Sequence, residues 1–184
     1  MTKARPGGGA VALVAALAVG TTARPAFAVE QEHAISLGVG PSILDVASKG
    51  SADTGAGPAI AYTYGLSDAF NLMAETSWSL VALNENAQDA PTSVTTFDVG
   101  VGYVFDVVRW VPYAGLLAGT SLMSGGGIDG VRFVPEAAVA LGFDYKFDRT
   151  WAAGLALRQY FFTDAATYPS YSQAFARVEY VWGW

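Results

Sequence analysis

From residue 33 to the C-terminus the chain alternates apolar and polar residues with a period of two. Over 132–146 the odd positions are Phe133, Pro135, Ala137, Val139, Leu141, Phe143 and Tyr145, while the even positions carry Arg132, Glu136, Asp144 and Lys146. Near the end, Ala174, Ala176, Val178, Tyr180, Trp182 and Trp184 share one phase, and Gln173, Arg177 and Glu179 share the other. Phe97, Val99, Val101, Tyr103 and Phe105 alternate with Thr96, Asp98, Gly100 and Gly102. Successive strand side chains point to opposite faces, so this pattern predicts strands with one oily and one polar face. Eight are predicted, over 33–44, 57–66, 70–82, 94–105, 110–122, 132–146, 151–162 and 172–184. Over 110–122 apolar residues occupy both phases. There we place Ala114, Leu116 and Ala118 on the oily face, with Tyr113, Gly115 and Gly119 opposite.

Alternation does not say which face is wet. All nine charged residues within these segments fall on the polar phase, which also collects small residues: Ala34, Ser36, Gly38, Gly40 and Ser42 in the first segment. Small side chains suit the crowded interior of a narrow barrel, whereas a solvated outer face would carry more Lys, Glu and Thr. The oily face therefore turns outward. Lipid supplies no hydrogen bonds, so a spanning sheet must close on itself. The prediction is an all-β, eight-stranded antiparallel up-and-down transmembrane β-barrel. A soluble barrel, oily side in, is the alternative.

The breaks between segments alternate in length. Those at 67–69, 106–109 and 147–150 are short, and those at 45–56, 83–93, 123–131 and 163–171 are longer. Outer-membrane barrels have short periplasmic turns and long outer loops. That asymmetry puts Tyr64, Phe70, Tyr103, Phe105, Trp110, Tyr145, Phe147, Trp151, Trp182 and Trp184 at the periplasmic ends, and Trp78, Phe97, Phe133 and Phe161 at the outer ends. Amphipathic rings favour the two water–lipid boundaries, so two girdles are expected, the periplasmic one heavier.

Lys3 and Arg5, the apolar run Ala10–Val19 and the small-x-small Ala26-Phe27-Ala28 read as a secretory signal cleaved after residue 28, leaving 29–184 as the barrel domain. That apolar run is about half the ~20 residues a spanning helix needs. Cleavage leaves seven Lys and Arg against 16 Asp and Glu, a net charge of −9. A polyanion binder wants a basic surface, so nucleic acid is not an expected partner. Without cysteine there is neither a disulfide framework nor a lipoprotein anchor.

With its eight-segment rhythm, the strand start Trp110-Val111-Pro112-Tyr113-Ala114-Gly115 and a last strand ending in Trp184, the chain resembles the small outer-membrane barrel families, the OmpA-type transmembrane domain and OmpX. The resemblance spans 29–184. It implies an integral protein of the bacterial outer membrane, a monomer surrounded by lipid and lipopolysaccharide. It further implies that Val178, Tyr180, Trp182 and Trp184 form the signal read by the barrel assembly machinery, although terminal Phe is the commoner form. Such motifs specify architecture well and function poorly.

Candidate chemistry is sparse. The single histidine, His33, falls at the periplasmic rim with no triad motif beside it. One histidine and no cysteine do not make a zinc site, and no cofactor motif is present. Ser124-Gly125-Gly126-Gly127 lacks the Lys and following helix of a phosphate loop and reads as a flexible surface loop. Glu75, Asp98, Glu136, Arg158, Arg177 and Glu179 are expected to point into the lumen. Glu136 and Arg158 fall on adjacent strands, as do Arg158 and Glu179, so a salt-bridged plug is the expected arrangement, with a gate or narrow polar pathway as the alternative. Asp53, Glu85, Asp89, Asp129 and Asp164 against Lys49 make the outer loops acidic. These readings lead to a non-enzymatic structural or surface-interaction role. A narrow pore and a lipid-modifying enzyme remain the alternatives.

Overall fold

The computed structural model describes residues 31–48, 50–81, 90–105 and 109–183. The expected signal segment, Trp184, Lys49, Glu85 and Asp89 lie outside them. The strands are β1 (His33–Val46), β2 (Ser51–Gly65), β3 (Phe70–Val81), β4 (Ser93–Val104), β5 (Trp110–Ser124), β6 (Val131–Lys146), β7 (Trp151–Phe162) and β8 (Ser170–Trp182). Each pairs antiparallel with its sequence neighbour, and β1 pairs with β8, closing the barrel. Closure leaves no free edge strand, so each strand is hydrogen-bonded to a neighbour on both sides. With an even number of strands, Gln31 and Gly183 lie at one end, called here the termini end; the other is the far end.

The oily phase faces outward. Leu37, Val39, Val99, Leu116, Leu155 and Val178 are each about half or more exposed, whereas Ser36, Glu75, Asp98, Glu136, Arg158 and Arg177 are buried. On β5, Leu116 and Ala118 are exposed and Tyr113 and Leu117 are buried, as the phase assigned from sequence requires.

The chemistry of the phases changes along the barrel. Toward the far end the inner face becomes apolar, with Leu44, Val46, Val81, Val94, Met123 and Val134 all buried. The outer face there turns polar on several strands, at Asp45, Thr54, Ser93, Thr95, Thr120 and Ser172. A membrane strand needs only ~9–11 residues, and strands such as β2 and β6 are longer. The excess follows the rule of a soluble barrel, dry inside and wet outside. Toward the far end the inner face is nonetheless mixed, with Asp53, Ser42, Ser79 and Ser121 buried beside the apolar residues.

The first long break, expected over 45–56, is a tight hairpin instead. β1 and β2 pair from His33↔Tyr64 to Val46↔Ser51, and Gly50 takes the positive φ of 66° near its tip. The small, polar composition of 51–56 reads as loop, but Leu44 and Val46 need cover, and cross-strand hydrogen bonding supplies it. The glycine run after β5 is pinned rather than free. Gly125 and Gly126 have positive φ, and Gly127 N donates to Ala90 O at 2.9 Å.

One amide sits on the outer phase, at Gln159. Its Oε1 accepts from Ser172 Oγ at 2.6 Å, and its Nε2 donates to the carbonyls of Tyr160 and Tyr171 at 3.3 and 3.2 Å. It is tolerated there because neighbouring strands satisfy it, as the apolar surroundings demand.

Inside, the ring of Tyr113 fills the space over Gly142. A Cβ on Gly142 would fall 2.1 Å from Tyr113 Cε1, and the ring cannot retreat because the guanidinium carbons of Arg177 and Arg158 lie 4.7 and 5.9 Å from its centroid. Gly142→Ala is expected to lower stability by about 1–3 kcal/mol through overpacking, read as a lower urea midpoint.

Candidate functional site

The barrel interior is where the chain concentrates its polar chemistry. The six residues expected in the lumen are on inward-facing positions; five are buried and Glu179 is half-buried. Their partners are not the adjacent-strand ones the sequence suggests. Arg158 of β7 crosses the full bore to Glu75 of β3, four strands away, with Nε donating to Oε1 at 3.0 Å and Nη2 to Oε2 at 2.5 Å. Its Nη1 donates to Leu157 O at 3.0 Å and lies 3.4 Å from Tyr113 Oη. The register explains the change. Arg158 stands opposite Ala140 and Gln173, while Glu136 stands opposite Phe162, two inward positions further along.

Arg177 of β8 pairs with Asp144 of β6, Nε donating to Oδ1 at 2.9 Å and Nη2 to Oδ2, with Glu179 3.7 Å away. Asp144, a polar-phase charge in the sequence, joins the lumen cluster as Arg177's partner. Only the register shows that Gly154 lies between it and Arg177, leaving room for the two to meet. Both pairs are almost fully desolvated, so they are held by bidentate, charge-assisted geometry rather than by bare charge.

A neutral network lies next along the bore. Gln173 Oε1 accepts from Ser77 Oγ and Tyr160 Oη, each at 2.9 Å, and its Nε2 donates to Tyr171 Oη at 2.7 Å and Ser79 Oγ at 3.3 Å. Four bonds saturate the amide. Beyond it the apolar residues of the far end close the bore, covered by the 163–169 connection. Tyr168 is fully buried there, with Arg132 over its ring at 5.4 Å. Arg132 donates to Asp164 at 2.6 Å, and Ala47 N donates to Thr167 O at 2.9 Å, tying this cap to the first hairpin. Toward the termini end a cavity of about 80 Å³ remains, bordered by Met73, Tyr113, Asp144, Lys146, Arg177 and Glu179. That is room for several waters. The interior thus keeps a polar-lined cavity toward the termini end and is packed with apolar residues toward the far end.

The aromatic residues form a belt around the termini end. Tyr103 meets Phe70 and Phe105 at 5.2 and 4.6 Å, and Trp110 meets Phe143 and Tyr145 at 5.0 and 4.7 Å. Phe147 packs on Tyr145 at 5.4 Å, and Trp151 on Tyr180 at 5.1 Å. Val178 and Tyr180 are exposed on the outer face and Trp182 shares their phase. His33 belongs to this belt. It stacks on Trp182 at 5.6 Å, and its Nδ1 is 2.7 Å from Tyr62 Oη.

The family profile described as "Outer membrane protein beta-barrel domain" matches residues 12–180. No curated protein matches the chain in sequence. Among solved structures, Neisserial surface protein A superposes with a TM-score of 0.62 at 13% identity, covering 80% of this chain and 96% of that one. Ail, the attachment invasion locus protein of Yersinia pestis, gives 0.60 at 16% identity over 84% and 100%. The N-terminal β-barrel domain of Pseudomonas aeruginosa OprF gives 0.51 at 18% over 83% and 98%. At these identities the likeness is one of fold.

Proposed function

We propose, because this chain belongs to the family of outer membrane protein beta-barrel domains, that it is a non-enzymatic barrel whose plugged interior is a rigid support for its outward end. The observation carrying this reading is the filled bore: two ion pairs, a saturated glutamine network and an apolar cap follow one another along the axis. An eight-stranded barrel is only just wide enough for its own side chains. Such a plug favours a structural or surface-interaction role over a pore.

In this reading the segment 1–28 directs export and is removed. The termini end faces the periplasm, and the aromatic belt there sits at the inner lipid boundary. Val178, Tyr180, Trp182 and Trp184 serve the barrel assembly machinery during biogenesis. The mature protein is a monomer whose surroundings are lipid and lipopolysaccharide. His33, held among Tyr62, Tyr64 and Trp182, serves that belt rather than a catalytic triad. Ail has also been solved with the heparin analogue sucrose octasulfate. A polyanion is a poor match for the outward end here, which carries Asp45, Asp129 and Asp164 and where Arg132 is already bound to Asp164.

The test is electrical. Purified protein in planar bilayers is expected to give no steady unitary current. Discrete, reproducible openings at low voltage would replace this reading with the pore.

A further inference from the structure

At two places in the wall a glycine separates two ionic residues in register, and the acid on one side leans over it. In the first row Asp144, Gly154 and Arg177 stand side by side on β6, β7 and β8, and a Cβ on Gly154 would fall 2.3 Å from Asp144 Oδ1. Acid and base meet there as the ion pair described above. In the second row Asp98, Gly119 and Glu136 stand side by side on β4, β5 and β6, and a Cβ on Gly119 would fall 2.5 Å from Asp98 Oδ1. The plan is the same, but both flanking groups are acids.

Their hydrogen bonding does not close. Glu136 Oε2 accepts from Ser121 Oγ at 2.8 Å. Glu136 Oε1 and both oxygens of Asp98 are buried with no partner, and the residues are only 6% and 3% exposed. The surrounding charges are committed elsewhere. Glu75 on β3 is Asp98's register neighbour but is another acid, already bound to Arg158 of β7. Tyr160 of β7 donates to Gln173 of β8, and Arg177 of β8 is spent on Asp144 of β6. Tyr113 of β5 lies beside the two arginines. Among the described residues no group of three acids or histidines is placed to hold a metal ion.

A carboxylate only accepts hydrogen bonds, and only protonation turns one of its oxygens into a donor. Two bare like charges buried without a cation are far costlier than one charge shared through a hydrogen bond. We propose that Asp98 and Glu136 are a proton-binding site, retaining at least one proton at neutral pH in a carboxyl-to-carboxylate hydrogen bond over Gly119. The glycine is what permits it, since a Cβ there would collide with Asp98 Oδ1 and with the Phe97 carbonyl.

Infrared spectroscopy of the folded protein in detergent tests this directly. At pH 7 the wild type is expected to show a protonated-carboxyl C=O band that shifts in heavy water. The band should be lost in Asp98→Asn/Glu136→Gln and lowered in Asp98→Asn alone, where the amide donates to Glu136. Gel mobility before and after heating confirms that each variant is folded, and if the double variant does not fold, the wild type and Asp98→Asn decide. A wild type without the band at pH 7, or a band undiminished in the folded variants, overturns the proposal. So does a band that appears only when sodium and potassium are withdrawn, which would make this a cation site.

Discussion

Arg158→Met is expected to cost the folded barrel about 3–5 kcal/mol, the largest single-residue loss outside the backbone. The reason lies in Glu75, which would be left desolvated with nothing across the bore and would have to hold an unpaired charge or take up a proton, either at a cost to folding. The two side chains are only 1% and 2% exposed, so water cannot replace the guanidinium. Glu75→Gln is expected to cost less, because Arg158 keeps Leu157 O and Tyr113 Oη. The double variant Arg158→Met/Glu75→Leu should recover most of the loss, since a buried pair exchanged for packed apolar groups is often neutral. Urea titration read by the heat-modifiable gel shift measures all three. If Arg158→Met alone leaves the midpoint unchanged, the pair does not hold the bore.

The second large effect lies on the opposite face. Leu116 is 66% exposed and stands between Val101 of β4 and Val139 of β6, mid-strand in the oily band. In a soluble protein such an exposed position would accept arginine at no cost. In lipid vesicles Leu116→Arg is expected to cost about 2–4 kcal/mol, the cost of a cation near the bilayer midplane. Thr120→Arg, two outward positions closer to the far end where the outer face becomes polar, should cost about 0–1 kcal/mol. Equal costs at the two positions, or a neutral Leu116→Arg, would mean that this face does not meet lipid tails.

Reading the barrel from sequence worked where one residue's chemistry was enough. Period two, set against charges that keep to a single phase, gave eight strands and their inner and outer faces, because an ionised side chain has nowhere to go in a lipid-facing position. β7 runs from Trp151 to Phe162, as expected from sequence, because turn residues flank it at both ends. The first outer connection departs from the sequence expectation: Ser51, Ala52, Asp53 and Gly55 have a loop's composition, yet they pair with β1 as strand, opposite the buried Leu44 and Val46.

What the sequence alone determined is the sidedness of each strand: which residues turn to the axis and which to the lipid follows from alternation and from the cost of burying charge in hydrocarbon. What only the tertiary structure decided is which inward groups meet. Strand register and the curvature of a closed sheet bring Arg158 to Glu75 across the bore and set glycines between Asp144 and Arg177 and between Asp98 and Glu136. Those heights depend on the stagger of eight strands at once, and no local pattern encodes it.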